Sequence, residues 1–247
     1  MKLLVCVSKT PDTTTKISFT AGNTEFNTDG VQFIMNPYDE WYALVRALEL
    51  SEANPGSTVT IINVGTAAND TVIRKGLAIG ADEAVRVDAE PQSAYFVARQ
   101  IAEYARSQNF DAVFLGKETI DYNGSEVGAM VAEMLELPFI SYASKLEMNG
   151  TKATIRRDIE GGAEIQEVEL PFVLSAAKDL AEQRIPNMRG IMMAKRKPLQ
   201  VVQPVSVDDP VKLVEYELPA EKSAVKLVEP DQMDELVRLL HEEAKVI

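Results

Sequence analysis

The stretch V-F-L-G-K-E-T-I-D-Y-N-G-S-E-V-G, Val113 to Gly128, decides how this chain is read. Val113 to Leu115 is an apolar run of the kind that ends a buried strand, and Gly116 breaks it. A polar loop follows. Asn123, Gly124 and Ser125 then open a segment in which Val127, Met130, Val131, Met134 and Leu135 recur at helical spacing. Strand, glycine, loop and helix start together set backbone N–H groups and the positive end of a helix dipole at the carboxyl edge of a sheet. A phosphate is favoured there, although an ordinary strand-to-helix connection reads the same way.

Outward from that stretch, strands alternate with helices. Lys2 to Val7, Thr58 to Val64, Ala84 to Val87 and Asp111 to Leu115 read as buried strands. Between them lie helices expected from Pro37, over Asp70 to Ile79 with Gly80 as the stop, and over Gln92 to Gln108. This rhythm predicts an α/β fold, a Rossmann-like doubly wound and mostly parallel sheet with right-handed crossovers. The first helix has an N-terminal signature in M-N-P-Y-D-E: Asn36 as the cap, Pro37 at the first position and Asp39 at the third. Trp41, Leu44, Val45 and Leu48 form its core-facing stripe. Ile17 to Gln32 reads as a hairpin-like excursion turning at Gly22 and Gly30.

Past Leu135 the pattern changes to period two. Ser141 to Met148, Lys152 to Ile159 and Glu164 to Leu170 are expected as an antiparallel region, and Phe172 to Ala176 as a return to the main sheet. Residues 1–177 form the expected nucleotide-binding domain. Residues 178–247 are charged and punctuated by proline, and read as an extended arm that gains its stability on a partner. The arm ends in an acidic helix, Asp231 to Ala244, striped by Leu236, Leu239 and Leu240.

Composition removes several function classes. One cysteine, Cys6, and one histidine, His241, leave no disulfide framework, no cysteine-built zinc site and little room for histidine catalysis. A formal charge of −13 opposes nucleic-acid binding. No apolar run approaches the ~18–20 residues that span a bilayer, and no leader pattern precedes the first strand, so a cytoplasmic location is expected. Gly116-Lys117 lacks the upstream glycine of a P-loop, and no G-x-G-x-x-G follows a strand. Asp158, Glu160 and Glu164 sit in alternating strands, where carboxylates form a solvated face. The chain reads as a nucleotide-holding scaffold and not an enzyme, with no catalytic residues of its own.

Five strings, in order along nearly the whole chain, resemble one family. M-N-P-Y-D-E (Met35–Glu40), G-A-D (Gly80–Asp82), L-G-K-E-T-I-D (Leu115–Asp121), R-R-D-I-E-G-G (Arg156–Gly162) and N-M-R-G-I-M-M-A-K-R-K (Asn187–Lys197) are similar to motifs of the beta, or small, subunit of electron-transfer flavoprotein. The resemblance implies a heterodimer with an alpha (large) subunit, passing electrons from acyl-CoA or other dehydrogenases through an FAD held mainly by the large subunit. It also implies a structural AMP in this chain. The residues it points to are Cys6; Asn36, Pro37, Tyr38 and Asp39; and Val64. The remainder form one run: Gly116, Lys117, Glu118, Thr119, Ile120, Asp121, Tyr122, Asn123, Gly124, Ser125, Glu126 and Val127. Met188, Arg189 and Ile191 match the partner-recognition loop, where Met188 is expected to be presented on a turn between Pro186 and Gly190. Thr13 departs from members with an aromatic residue near the flavin. Bifurcating members bind a second FAD in place of AMP and tend to read G-R-Q-A-I-D-G-D, and Lys117 and Tyr122 favour AMP here. A free-standing module with a universal-stress-protein-like sheet is the reading outside this family. A nucleotide-cleaving enzyme on a similar sheet is disfavoured by the missing pyrophosphate loop.

Overall fold

The structure, a computed structural model, describes residues 1–220 and 224–247; residues 221–223, within the expected arm, lie outside the described residues. The first half comprises β1 (Lys2–Cys6), β2 (Lys9–Pro11), β3 (Phe19–Thr20), β4 (Glu25–Phe26), β5 (Phe33–Met35), α1 (Asp39–Ala53), β6 (Thr58–Val64), α2 (Asp70–Ile79), β7 (Glu83–Val87) and α3 (Ala94–Arg106). The second comprises β8 (Ala112–Gly116), α4 (Val127–Leu135), β9 (Phe139–Asn149), β10 (Lys152–Ile159), β11 (Gly162–Glu169), β12 (Phe172–Ala176), α5 (Met188–Ala194), β13 (Leu199–Val202) and α6 (Met233–Arg238). A wider, π-type turn over Leu239–Ala244 continues α6.

Nine strands form one sheet in the order β11-β10-β9-β12-β8-β1-β6-β7-β13. Every pairing from β9 to β13 is parallel, and the β9–β10–β11 pairings are antiparallel. Alternation within each strand divides the core in two. Leu3 and Val5 of β1 face the layer with α1 and α2, while Leu4 and Cys6 face the layer with α3 and α4. Covering both faces is what continuous apolar strands such as V-T-I-I-N-V require. Chain order places β6 and β7 on one side of β1 and then returns to β8 on the other. The switch point therefore lies between β1 and β8, and an open α/β sheet forms its crevice there, beyond the carboxyl ends.

The hairpin expected between Ile17 and Gln32 is present as β3 and β4, with Gly22 at φ 69° in its turn. The chain after Lys178 stays with the body longer than its charge and prolines suggest. The α5 helix packs on α2, and Leu199–Val202 adds a parallel edge strand beside β7. Beyond Val202 the described residues form no regular structure until α6, and most of their apolar side chains, Val211, Leu213, Val214 and Leu218 among them, are exposed.

Candidate functional site

Three strand ends build the crevice. Cys6 is the last residue of β1 and Val64 the last of β6, and both are buried. Gly116 closes β8. Burial among apolar neighbours pushes the Cys6 thiol well above its ordinary range, with the nearby Glu40 carboxyl adding to the effect, which disfavours its thiolate. Gly116 is required by close approach: a Cβ there would lie 2.8 Å from the backbone nitrogen of Glu40. The end of β8 thus touches the first turn of α1, with no room for a side chain between them.

The Met35–Glu40 turn differs from its expected form. The α1 helix begins at Asp39, and Tyr38, at φ 64°, occupies the cap position without a side-chain capping bond. Asn36 is therefore not the helix cap. It is fully buried, its Nδ2 donates to the Glu118 carbonyl at 3.1 Å, and its Oδ1 accepts from the Ile120 N–H at 3.0 Å. Its capping chemistry serves the loop after β8 instead, because Pro37 and the left-handed Tyr38 place two residues between Asn36 and the helix. Pro37 is half-buried and Tyr38 exposed. Asp39, at the first helical position, lies 3.7 Å from the Lys117 ammonium. Burial pushes its carboxyl up, partly offset by Lys117. Burial alone would lower Lys117, but its hydrogen bond to Glu118 and the charge of Asp39 outweigh that and hold its ammonium above the ordinary lysine range.

The loop after β8 also differs. The α4 helix starts at Val127, four residues later than Asn123 suggested, with Glu126 as its cap residue. Asn123 (φ 51°) and Ser125 (φ 52°) are left-handed, and Gly124 between them is not. Asparagine tolerates that region, and an alternation of backbone hand is the setting in which successive N–H groups form anion-binding hollows. The N–H groups of Gly124, Ser125 and Glu126 meet no acceptor among the described residues. Gly116 to Ile120 are half-buried, whereas Asp121 to Glu126 are exposed at the rim. Thr119 receives the Asn123 N–H through its carbonyl at 2.9 Å, which turns the loop back toward the helix.

The structure adds residues the sequence did not single out. Glu40, 7% exposed, accepts from the Ser8 N–H at 2.7 Å and lies 2.5 Å from the Ser8 hydroxyl. Its burial pushes its carboxyl up to about 8, with the two Ser8 hydrogen bonds opposing the shift. Buried Arg86 pairs with Asp70 and Asp88 and donates to the Gly65 carbonyl at 2.9 Å, fixing the loop after β6. A charged residue inside the apolar strand E-A-V-R-V was the visible signal for this one.

Met188 sits 74% exposed on the first turn of α5, so the recognition segment is a short helix and not the turn its proline and glycine suggested. Asn187 caps it, accepting from the Gly190 N–H at 2.8 Å. Gly190 lets α5 lie against α2: a Cβ there would be 2.4 Å from the Ala78 carbonyl oxygen. The Lys197 ammonium donates to the carbonyls of Leu77, Gly80 and Ala81 at the end of α2, where a cation is favoured. Met188, Arg189 and Ile191 are all exposed. Since α2 runs antiparallel to the strands, α5 occupies the amino edge of the sheet, opposite the crevice. Thr13 is exposed on the connection after β2.

The electron transfer flavoprotein domain is matched over residues 24–207. Across the full length of both chains, the protein is 38% identical to the electron transfer flavoprotein subunit beta of Bacillus subtilis (strain 168). It is 35% identical to that of Syntrophomonas wolfei subsp. wolfei over 91% of this chain and 88% of the relative, and 32% identical to that of Homo sapiens over 100% and 99%. The chain belongs to the electron-transfer flavoprotein beta-subunit family. The family match spans the crevice from α1 through α4 and the recognition helix. No described helix is long and apolar enough to cross a membrane, and no group of three or more His, Cys, Asp or Glu among the described residues could hold a metal ion.

Proposed function

We propose that this chain is the small subunit of a heterodimeric electron-transfer flavoprotein. In this reading it holds a structural AMP in the β1/β8 crevice, and its alpha-subunit partner holds most of the FAD. The observation that supports the nucleotide most directly is the Asn123–Glu126 run, where three N–H groups beside the switch point meet no acceptor among the described residues. The residues present fit a nucleoside monophosphate. Gly124, Ser125 and Glu126 would donate backbone N–H groups to its phosphate, while Cys6, Val64 and the Asn36–Asp39 turn would wall the adenosine. Lys117 would add positive charge, reduced by its pairing with Asp39 and Glu118.

FAD, when bound, supplies the capacity to take up and release single electrons. This chain's part is to bind, orient and present. The α5 helix, tied to α2 through Gly190 and Lys197, offers exposed Met188 and Ile191 to an apolar pocket on a dehydrogenase, acyl-CoA dehydrogenases among them. Its separation from the crevice lets the nucleotide serve stability while the opposite edge serves partner contact. The chain acts as an electron carrier subunit and not as an enzyme, and its proposed compartment is the cytoplasm.

Purification of the native protein tests this reading. A yellow complex with a larger chain is expected. A colourless homodimer that is stable alone would favour a free-standing nucleotide-binding module.

A further inference from the structure

We propose that Glu40 is a positioning residue for the crevice, acting through Ser8 and Asn36, and that its ionisation loosens the bound nucleotide. This rests on the reading that the crevice holds an anionic nucleotide.

Glu40 reaches both sides of the switch point, through the connection after β1 and the end of β8. On the β1 side its two carboxyl oxygens meet the N–H and hydroxyl of Ser8, at 2.7 and 2.5 Å. The Ser8 carbonyl accepts the Asn36 N–H at 3.0 Å, and the Asn36 side chain clamps Glu118 and Ile120. On the β8 side a Cβ on Gly116 would lie 2.8 Å from Glu40 Cγ. One buried carboxyl therefore connects the end of β1, the start of α1 and the loop that opens the phosphate run.

The groups facing Glu40 give its charge a consequence. Cys6 approaches from β1, Ser8 from the connection after it, Asp39 from its own helix and Asp121 from the loop after β8. Both Asp39 and Asp121 are acidic, and the nearby cation Lys117 pairs with Asp39 and Glu118. A neutral Glu40 satisfies Ser8 without adding to this negative field. An ionised one places a further charge beside Asp39 and Asp121, below an anion, in a site where water screens poorly. Burial keeps the neutral form prevalent at neutral pH, so the change occurs in the mildly alkaline range.

The test is the exchange of bound AMP for excess labelled AMP in the native complex, followed from about pH 7 to pH 9.5, above the phosphate's own ionisation near ~6. Wild-type exchange is expected to accelerate about tenfold through the region of Glu40 ionisation. Glu40→Gln is expected to exchange at a rate that does not vary across that range. Ser8→Ala removes a hydrogen bond that holds the carboxyl down, so it should move the acceleration to higher pH. If Glu40→Gln does not fold, the displacement in Ser8→Ala decides the matter. A flat wild-type profile, a step that persists in Glu40→Gln, or an unmoved step in Ser8→Ala overturns the proposal while leaving the AMP reading standing. A complex that releases no adenine nucleotide beyond its flavin overturns both.

Discussion

Tyr216, far along the irregular segment after β13, lies flat on Phe19 of the β3–β4 hairpin, with ring centroids 4.7 Å apart and planes 5° from parallel. Its N–H donates to the Asn23 carbonyl at 2.7 Å, and its hydroxyl meets that of Tyr122, on the crevice rim, at 3.1 Å. Upstream, Val205 exchanges two hydrogen bonds with buried Gln100, and Asp209 accepts from Ser93 at the start of α3. The segment is thus fastened along the carboxyl edge, where the crevice opens.

Removing that fastening should loosen the rim. Tyr216→Ala is expected to increase hydrogen exchange across residues 203–220 and to speed AMP release several-fold, since a stacked aromatic pair contributes about 0.5–1.5 kcal/mol. Tyr216→Phe keeps the stack and should give the smaller effect. Equal effects from both variants would mean that the hydroxyl contact with Tyr122, and not the stack, holds the segment.

Glu40 also makes stability depend on pH. Its carboxyl ionises at an ordinary 4.5 when unfolded but holds its proton up to about 8 when folded. The folded state therefore binds more protons between those values. This contribution is complete below about pH 4.5 and is lost as pH rises through 8. Against Glu40→Gln, wild-type stability should fall by on the order of 2–4 kcal/mol between pH 5 and pH 9. Chemical denaturation of both proteins at the two pH values is the check. A difference that grows in favour of wild type with rising pH would reverse the sign.

The close packing of β8 on α1 predicts that Gly116→Ala is destabilising by about 1–3 kcal/mol, because the nearest atom to the new Cβ includes backbone, which cannot swing aside. Denaturant midpoints measure this. A neutral substitution would show that the two elements separate at little cost.

These sites were unequally legible in the sequence. The parallel sheet, the Asp70–Ile79 helix with its Gly80 stop, and the return of Phe172–Ala176 followed from apolar runs and glycine stops, which are local signals. Asn36 was visible as a polar residue before a helix, but its partners are more than eighty positions away, and no local pattern distinguishes a helix cap from a loop clamp. The left-handed Asn123 and Ser125 delayed α4 to Val127 for the same reason: asparagine and serine serve caps and turns alike. Glu40 carries no signal of its own in M-N-P-Y-D-E, and only the approach of Ser8 and Gly116 marks it as a buried group. The β13 strand was hidden by its charged surroundings, since its apolar residues face an edge and not a full core.

On the opposite edge of the sheet, Met188→Glu is expected to slow reduction by the cognate dehydrogenase more than tenfold, a desolvated anchor contributing ~2 kcal/mol or more. The flavin spectrum and melting temperature should stay near wild type, because Met188 is exposed. Stopped-flow reduction by the dehydrogenase is the measurement, with dithionite as the control. Wild-type rates would remove Met188 as an anchor, and loss of flavin would make it structural.

The proposed role of this chain is to hold AMP in the β1/β8 crevice of a flavin-carrying heterodimer. Heat denaturation of the native complex, followed by chromatography of the released nucleotides, tests it most directly. About one AMP and one FAD per heterodimer are expected, as one crevice and one shared flavin site require. Two FAD and no AMP would place the chain among the bifurcating members, and FAD with no second adenine nucleotide would contradict the crevice assignment itself.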